Sequence, residues 1–276
     1  MPELAPGEVL VRVHSSSVNA MEWHLMNGKP YLLRLVFGIR PKNATLGADV
    51  SGTVVAIGEG VTRFAPGDHV FGEIGAGAYA EYACAADRHL VRKPDGVGFE
   101  EAAAVGVAGL TALQGLRDVL GVRPGQRVLV NGASGGVGTY AVQVAKLLGA
   151  EVTAVCSARN VAQARELGAD EVVDYEREDI TLTFQRFDAI FDLPGNHPLR
   201  FCRRLLAPGG TYLMVGGPKG DWAGPLPRIL LAALVFAIGD RKATTFTAAS
   251  ETDDLVELGE LMASGRLRSI IEERIP

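Results

Sequence analysis

The sequence Asn131-Gly132-Ala133-Ser134-Gly135-Gly136-Val137-Gly138 is the most informative stretch of the chain. Glycines stand three apart, at 132, 135 and 138, after an apolar run at 128–130 and before a helical pattern at 139–148. The first glycine permits a tight turn, the second lets backbone amides approach a diphosphate, and the third lets helix and strand pack closely. The unpaired amides and the dipole at the helix start favour a bound anion. We therefore predict a dinucleotide-binding turn, the alternative being a turn of purely structural use. Its predicted cofactor-binding residues are Gly132, Ala133, Ser134, Gly135, Gly136, Val137 and Gly138.

The rest of the second half alternates between strand and helix patterns. Strand patterns lie at 152–156, 172–174, 189–193 and 212–215, and helical patterns at 162–167 and 199–206. This alternation is typical of a parallel sheet covered by helices on both faces, with right-handed crossovers. The sequence therefore predicts an α/β fold with a doubly wound Rossmann domain.

The first hundred residues have a different pattern. Short runs of strand character, separated by turn residues such as Pro66-Gly67-Asp68, lie at 9–13, 50–58, 69–71 and 79–84. They predict an irregular β-rich domain. We place this domain, short at its N-terminus, at 1–110, and the nucleotide-binding domain, with a truncated return to the first domain, at 111–276.

Two further segments are predicted to be helical. Residues 253–263 carry leucines on one face, and Ser250 with Asp253 is the predicted N-cap pair. The apolar run 229–238 is too short to span a bilayer as a helix, and we predict a buried helix there.

Composition excludes several classes of partner. The chain has 276 residues, of which 47% are hydrophobic, and a net charge of −5 without any basic block, so neither nucleic acid nor a membrane is an expected partner. Cys84, Cys156 and Cys202 are isolated and odd in number, which favours a reducing compartment. The first residues lack the pattern of a signal peptide. We therefore predict a cytoplasmic location.

The end of the second Rossmann strand bears on cofactor choice. Enzymes that use NAD usually carry an acidic residue there, which holds the ribose 2′-hydroxyl. This chain instead has Ser157, Arg159 and Asn160. A carboxylate would repel a 2′-phosphate, whereas Ser157 can donate a hydrogen bond to it and Arg159 can form a charge-assisted pair. These residues favour NADPH over NADH, the alternative for Arg159 being a solvated surface residue.

Seven segments spread along the chain form a familiar series: 18–19, 46–52, 64–70, 77–82, 109–112, 132–138 and 167–170. Together and in this order, they resemble the medium-chain dehydrogenase/reductase superfamily, in its zinc-independent quinone oxidoreductase and enoyl reductase branch. The resemblance implies a GroES-like catalytic domain followed by a Rossmann domain, with the active site in the cleft between them. It also implies a small-molecule carbonyl or quinone substrate and a homodimer.

Further site residues follow from the resemblance. It implies that Asn19 lies near the nicotinamide, where its amide could stabilise a carbonyl oxygen; His24 and Tyr31 are further candidate donors, with cleft-wall packing as their alternative. Thr111 is expected at the nicotinamide end, and Tyr175 beside the adenosine phosphate. Gly195 and Gly216 follow the fourth and fifth strands, where loops meet the cofactor.

The zinc-binding positions of the family are not kept. Residues 19–22 lack the catalytic Cys, residues 47–49 lack the His, and the lobe of four Cys is missing, so no metal is expected. Without a Lewis acid, the fitting reaction is hydride transfer from NADPH to a quinone or an α,β-unsaturated carbonyl.

The chain also departs from the family pattern. Met26 stands where the family often has Arg, and both ends look short. These departures keep a second hypothesis open, in which the chain is a nucleotide-binding protein of low activity that acts as a redox sensor or structural partner. An enoyl reductase for acyl thioesters, with residues 226–238 lining an acyl channel, is a variant of the first hypothesis.

Overall fold

The structure is a computed structural model that describes residues 1–29, 31, 45–217 and 224–275. These residues group into two compact units. The first comprises 1–28 and 45–110 together with 249–275, and the second comprises 29, 31 and 111–248 apart from the gap. The chain therefore passes into the second unit between Leu110 and Thr111, and the segment after Ala248 groups with the first unit.

The first unit is built on a five-stranded sheet. Its strands are β1 (Glu8–Ser15), β2 (Asp49–Ile57), β3 (His69–Glu73), β4 (Tyr82–Ala86) and β5 (Leu90–Arg92). The order is β4-β1-β2-β3-β5, with antiparallel neighbours throughout. Valines on β1 and β2 alternate into the core, where Val9, Val11, Val50 and Val54 are buried. The expected strand at 79–84 begins only at Tyr82, because the Tyr79 amide donates to the Leu46 carbonyl outside the sheet.

In the described part of the chain, four helices accompany this sheet. They are α1 (Ala20–Asn27), α2 (Phe99–Ala104), α3 (Gly106–Gln114), whose last residues belong to the second unit, and, after the Rossmann segment, α8 (Thr252–Ala263). The expected capping pair of α8 does not form, since its N-cap is Glu251 and the Ser250 hydroxyl donates to the Glu73 carbonyl at 2.8 Å.

The second unit contains a six-stranded sheet. Its strands are β6 (Arg127–Asn131), β7 (Glu151–Cys156), β8 (Glu171–Asp174), β9 (Phe187–Asp192), β10 (Leu206–Met214) and β11 (Lys242–Thr245). Its helices are α4 (Gly136–Leu147), α5 (Val161–Glu166), α6 (Leu199–Leu205) and α7 (Leu226–Val235). The order β11-β10-β9-β6-β7-β8 is parallel in every pair, which is the doubly wound arrangement predicted from the sequence.

Helix α7 differs from its prediction as a buried helix. Of its residues only Ala232 is buried, while Leu230 and Leu234 are 69% and 75% exposed and Ile238, just beyond the helix, is 80% exposed. The apolar composition had suggested burial on all sides, but the unit covers only one side. Among the described residues, no helix has the length and apolar character needed to cross a membrane.

Candidate functional site

The glycine-rich turn joins β6 to α4 at the carboxyl edge of the parallel sheet. Gly132 has φ of 87°, in the left-handed region that favours glycine, and its amide donates to the Val155 carbonyl at 3.1 Å. Gly135 is the N-cap of α4, so the helix begins at Gly136 with its first amides directed out of the turn. The turn therefore combines backbone donors with the positive end of a helix dipole.

The turn is tightly packed at Gly138, where helix and turn meet, and open at Gly135 and Gly136, where the helix begins. A Cβ added at Gly138 would lie 2.1 Å from the Gly132 oxygen, so only glycine allows this contact of helix and turn. At Gly135 the nearest described atom would be 3.6 Å from an added Cβ, and at Gly136 none would lie within 4 Å. Both residues are exposed. The cradle therefore fits a diphosphate, which needs close approach to the backbone in front of the helix.

The end of β7 places the residues predicted to choose the cofactor. Ser157 is buried and accepts a hydrogen bond from Asn160 Nδ2 at 3.1 Å. Arg159 is exposed and has neither a hydrogen bond nor an ion pair within the part of the chain that the structure describes. Tyr175 follows β8, and its amide donates to the Cys156 carbonyl at 3.1 Å. Ser157, Arg159 and Tyr175 thus follow two neighbouring strand ends.

A buried carboxylate organises the loops after β9 and β10. Asp192 Oδ1 accepts from Asn131 Nδ2 at 2.8 Å and from the Gly195 amide at 3.1 Å, and Oδ2 accepts from the Tyr212 hydroxyl. Arg228, on α7, donates to that hydroxyl at 2.7 Å and lies 3.6 Å from Asp192 Oδ2. Burial, together with the Asp192 carboxylate, raises the pKa of Tyr212 well above its usual value, so the phenol stays a neutral donor.

Gly195 and Gly216 both lie at this carboxyl edge, in the loops after β9 and β10. Gly195 has φ of 62°, and a Cβ at Gly216 would lie 2.1 Å from the Leu193 oxygen. The two loops therefore pack backbone against backbone. Thr111 is half-buried on α3.

In the first unit, Asn19 belongs to a polar network at the start of α1. Its Nδ2 donates to Asp49 Oδ2 at 2.9 Å and to Ser17 Oγ at 3.1 Å, which uses both amide hydrogens. Its backbone amide donates to Glu22 Oε2 at 2.7 Å, and Glu22 Oε1 accepts from the Ala48 amide at 3.0 Å. Glu22 is buried, so this network is a fixed part of the unit.

Asp49 is the acceptor at the centre of the network. It is fully buried, which raises its pKa to about 7 even though Ser17, Asn19 and the Val107 amide all donate to it. The nearby Glu73 adds to the shift. Near neutral pH this carboxyl group therefore changes its ionisation.

The other two predicted donors lie on different parts of the chain. His24 is exposed on α1, with its ring edge-on to Trp23 at 5.0 Å between centroids. Tyr31 groups with the second unit, and Lys29 Nζ lies 5.8 Å from its ring centroid.

Our reading of the sequence missed Asp49, Ser17 and Glu22 in the first unit, and Asp192, Tyr212 and Arg228 in the second. A signal for Asp49 was available, since it stands alone between Ala48 and Val50 at the start of an apolar strand. The spacing Asn19-x-x-Glu22 is likewise that of a capping box.

No group of three or more His, Cys, Asp or Glu side chains is placed to hold a metal ion in the described ranges. All three cysteines are free thiols, and Cys156 and Cys202 are buried.

Comparison with known proteins supports the same architecture. Residues 5–95 match the family model described as alcohol dehydrogenase GroES-like domain, and residues 136–257 match that described as zinc-binding dehydrogenase. The chain is 33% identical over 290 residues to the chloroplastic quinone-oxidoreductase QR1 of Triphysaria versicolor, covering 99% of this chain and 84% of the relative. It is 32% identical to the trans-enoyl reductase pgmF of Aspergillus terreus, covering 98% and 79%. The solved quinone oxidoreductase of Coxiella burnetii superposes with a TM-score of 0.85 at 31% identity, covering 98% and 83%.

A GroES-like unit followed by a Rossmann unit with a glycine-rich turn defines a dehydrogenase-type oxidoreductase. With relatives of this similarity over nearly the whole chain, the protein belongs to the medium-chain dehydrogenase/reductase superfamily, in its quinone oxidoreductase branch. The resemblance, the fold class and the enzyme class predicted from the sequence are thereby confirmed.

Proposed function

We propose that this protein is an NADPH-dependent reductase that transfers hydride to a quinone or an α,β-unsaturated carbonyl without a metal ion. The observation that carries the proposal is the cradle at Gly135 and Gly136, open in front and lined by the first amides of α4. Relatives that match nearly the whole chain are named as quinone oxidoreductases and a trans-enoyl reductase, which supports this substrate class. The sensor hypothesis gains no support from them.

The nucleotide would be held by the second unit. The amides of α4 bind the diphosphate, while Gly195 and Gly216 let the loops after β9 and β10 approach the nicotinamide end, with Thr111. The bound nicotinamide supplies the hydride, and the protein orients the acceptor. Preference for NADPH over NADH rests on Arg159, whose unpaired guanidinium is available to a 2′-phosphate, and on the absence of an acid at the end of β7.

Asn19 is the proposed donor to the carbonyl oxygen, on which negative charge builds during reduction. Both Nδ2 hydrogens are engaged in the structure. The longer bond, to Ser17 Oγ at 3.1 Å, is the one that we expect the substrate oxygen to replace, while the bond to Asp49 is kept. His24 and Tyr31 remain secondary candidates.

We further propose a cytoplasmic homodimer with a small-molecule substrate and without nucleic acid or membrane partners. The apolar face of α7, formed by Leu226, Leu230, Leu231, Leu234 and Ile238, is exposed. Strand β11 is at the sheet edge and contacts α7, so a second copy could cover the apolar face and pair with the strand edge together.

The test of function is turnover. The protein is mixed with NADPH and a panel of quinones and enones, and the loss of cofactor absorbance is followed. We expect steady oxidation of NADPH with at least one acceptor class. Tight NADPH binding without turnover on any acceptor would favour the sensor hypothesis and contradict this proposal.

Substitution of Asn19 by Ala tests its role. Removal of one donor to a developing oxyanion lowers kcat by about 100-fold or more, and we expect a fall of that order with little change in NADPH affinity. Asn27→Ala, at the exposed end of the same helix, is the control. A kcat for Asn19→Ala equal to that of the wild type would remove Asn19 from the mechanism.

A further inference from the structure

The carboxylate of Asp49 joins three segments of the first unit. Its Oδ2 accepts from Ser17 Oγ at 2.5 Å and from Asn19 Nδ2 at 2.9 Å, just before and at the start of α1. Its Oδ1 accepts from the Val107 amide at 2.8 Å, in the first turn of α3. The side chain is inaccessible to solvent, so water does not compete with these donors for the carboxylate oxygens.

The backbone at the start of α3 packs directly on this carboxylate. A Cβ added at Gly106 would lie 2.0 Å from Asp49 Oδ1, which excludes any other residue in this arrangement. Since Gly106 and Val107 hold one oxygen in place, the other oxygen has a fixed direction toward Asn19.

This geometry decides which end of the Asn19 amide faces inward. An ionised carboxylate accepts hydrogen bonds and cannot donate them, so the Nδ2 end of Asn19, not Oδ1, must face Asp49. We infer that Asp49 is a positioning residue, which sets the orientation of the Asn19 amide that acts on the substrate carbonyl. This inference rests on the proposed function for its effect on turnover, but the orientation itself can be tested without substrate.

Burial of a carboxyl group at this position is costly, which argues for a specific role. Its pKa is raised to about 7, chiefly by burial. The ionisable groups that act on it are Glu73 on β3 and Tyr79, which precedes β4; α3 contributes the Val107 amide. Burial, Glu22 and Asp49 itself raise the pKa of Tyr79 to about 12. Burial and Glu22 also raise the pKa of Glu73, while His89, just before β5, opposes that rise.

Orientation should then depend on pH. Above about pH 7 the ionised Asp49 accepts only, and the amide of Asn19 is locked. Below that pH the protonated carboxyl can donate, so Asn19 can turn its Oδ1 inward. We therefore expect kcat to rise with pH through about 7 in the wild type.

The variant Asp49→Asn keeps the shape of the side chain but removes its ability to fix the orientation of the Asn19 amide. If the NH₂ of the new amide faces Val107, it meets the Val107 amide, which is also a donor. If it faces Asn19, it meets Nδ2, a second donor, unless Asn19 turns over. We expect kcat to fall by roughly 10- to 100-fold, with the rise near pH 7 lost and NADPH affinity within about twofold of wild type. Ser51→Ala is the matched control, since Ser51 is equally buried on β2 but donates to the Phe99 carbonyl, away from Asn19.

The exchange Asn19→Asp with Asp49→Asn restores the hydrogen bond with its direction reversed. We expect it to recover melting temperature relative to Asp49→Asn but not kcat. Recovery of both, or an Asp49→Asn enzyme with wild-type kcat and pH profile, would overturn the inference.

A measurement on the unaltered protein covers the case in which Asp49→Asn does not fold. In protein labelled with ¹⁵N at asparagine, the Asn19 side-chain resonances, assigned by their loss in Asn19→Ala, should shift together between about pH 6 and 8 as Asp49 ionises. Invariant resonances across that range would refute the Asp49–Asn19 coupling. If the wild type lacks turnover but shows this shift, the proposed function fails while the orientation stands.

Discussion

Arg159 and Asn19 show how differently two predicted site residues are held. Arg159 is exposed at the end of β7 without a hydrogen bond or ion pair to any described residue, so its guanidinium is available to an anion. Asn19 has both amide hydrogens bonded, and any contact with a substrate must replace one of those bonds. Arg159 can therefore bind a ligand without breaking a hydrogen bond, whereas Asn19 must first give up its bond to Ser17 or to Asp49.

Arg159→Ala should change cofactor preference more than affinity for the shared part of the cofactor. A charged hydrogen bond to the 2′-phosphate contributes about 1.5–3 kcal/mol, so NADPH should bind more weakly by that amount and NADH much less. Calorimetric titration of both cofactors measures this difference. Arg165→Ala removes the same charge from the exposed face of α5 and should leave both affinities unchanged. Equal losses for NADPH and NADH in Arg159→Ala would contradict the assignment.

At the scale of residues, the sequence predicts the role of a residue in its own turn better than it predicts its contacts with distant residues. Gly132, Gly135 and Gly138 could be predicted because their roles are local and depend on backbone geometry. The contacts of Asn19 could not, since they join residues 30 apart in the chain through a strand and a helix start. The sequence marks Asp49 as a lone acid at the start of an apolar strand, but its donors, Ser17, Asn19 and Val107, are known only from the structure.

Among the elements, the strand–turn–helix β6–α4 could be predicted best from the sequence, and the helix α7 could be predicted least well. The first is fixed by glycine spacing and by a helical stripe that includes Ala141, Val144 and Ala145, all buried. The second has an apolar sequence that gives no sign of which face is covered. Periodicity needs polar residues for contrast, and α7 carries only Arg228.

Arg228 nevertheless ties α7 to the strands through Tyr212 and Asp192. Tyr212→Phe would remove the hydroxyl between them and leave Asp192 Oδ2 with only Arg228 at 3.6 Å. Loss of a partner for a buried charge costs about 1–3 kcal/mol or more, so the free energy of unfolding should fall by at least that amount. Urea denaturation measures it, with the exposed Tyr175→Phe as control. An unchanged unfolding free energy in Tyr212→Phe would show that the hydroxyl does not link these elements.

For the whole molecule, the change of sequence pattern near Phe99 indicates two parts of the chain, and the first compact unit continues to Leu110. The family resemblance implied a return of the chain to the first domain, but the start of that return at 249 could not be placed, since α8 has the ordinary pattern of a surface helix. Its contacts with distant segments, such as Ser250 with Glu73 and Thr252 with Arg88, decide the grouping.

The proposed dimer makes a prediction at the same scale. Light scattering on the wild type should give twice the chain mass of 29.2 kDa. Leu230→Glu with Leu234→Glu should shift the protein to monomer, because two carboxylates would be buried in an apolar contact. Leu182→Glu with Phe184→Glu, at another exposed apolar pair of the same unit, should leave the dimer intact. A monomeric wild type, or a double variant at α7 that remains dimeric, would contradict the interface.

The central claim is that the amides at the start of α4 grip the diphosphate of NADPH. Titration of NADPH into the wild type and into Gly135→Ala tests it, since an added Cβ at Gly135 meets no atom of the described structure closer than 3.6 Å and the variant should fold normally. We predict one site per chain in the roughly micromolar range for the wild type and binding weaker by about tenfold or more for Gly135→Ala. Absence of binding in the wild type, or equal affinities in the two proteins, would contradict the account.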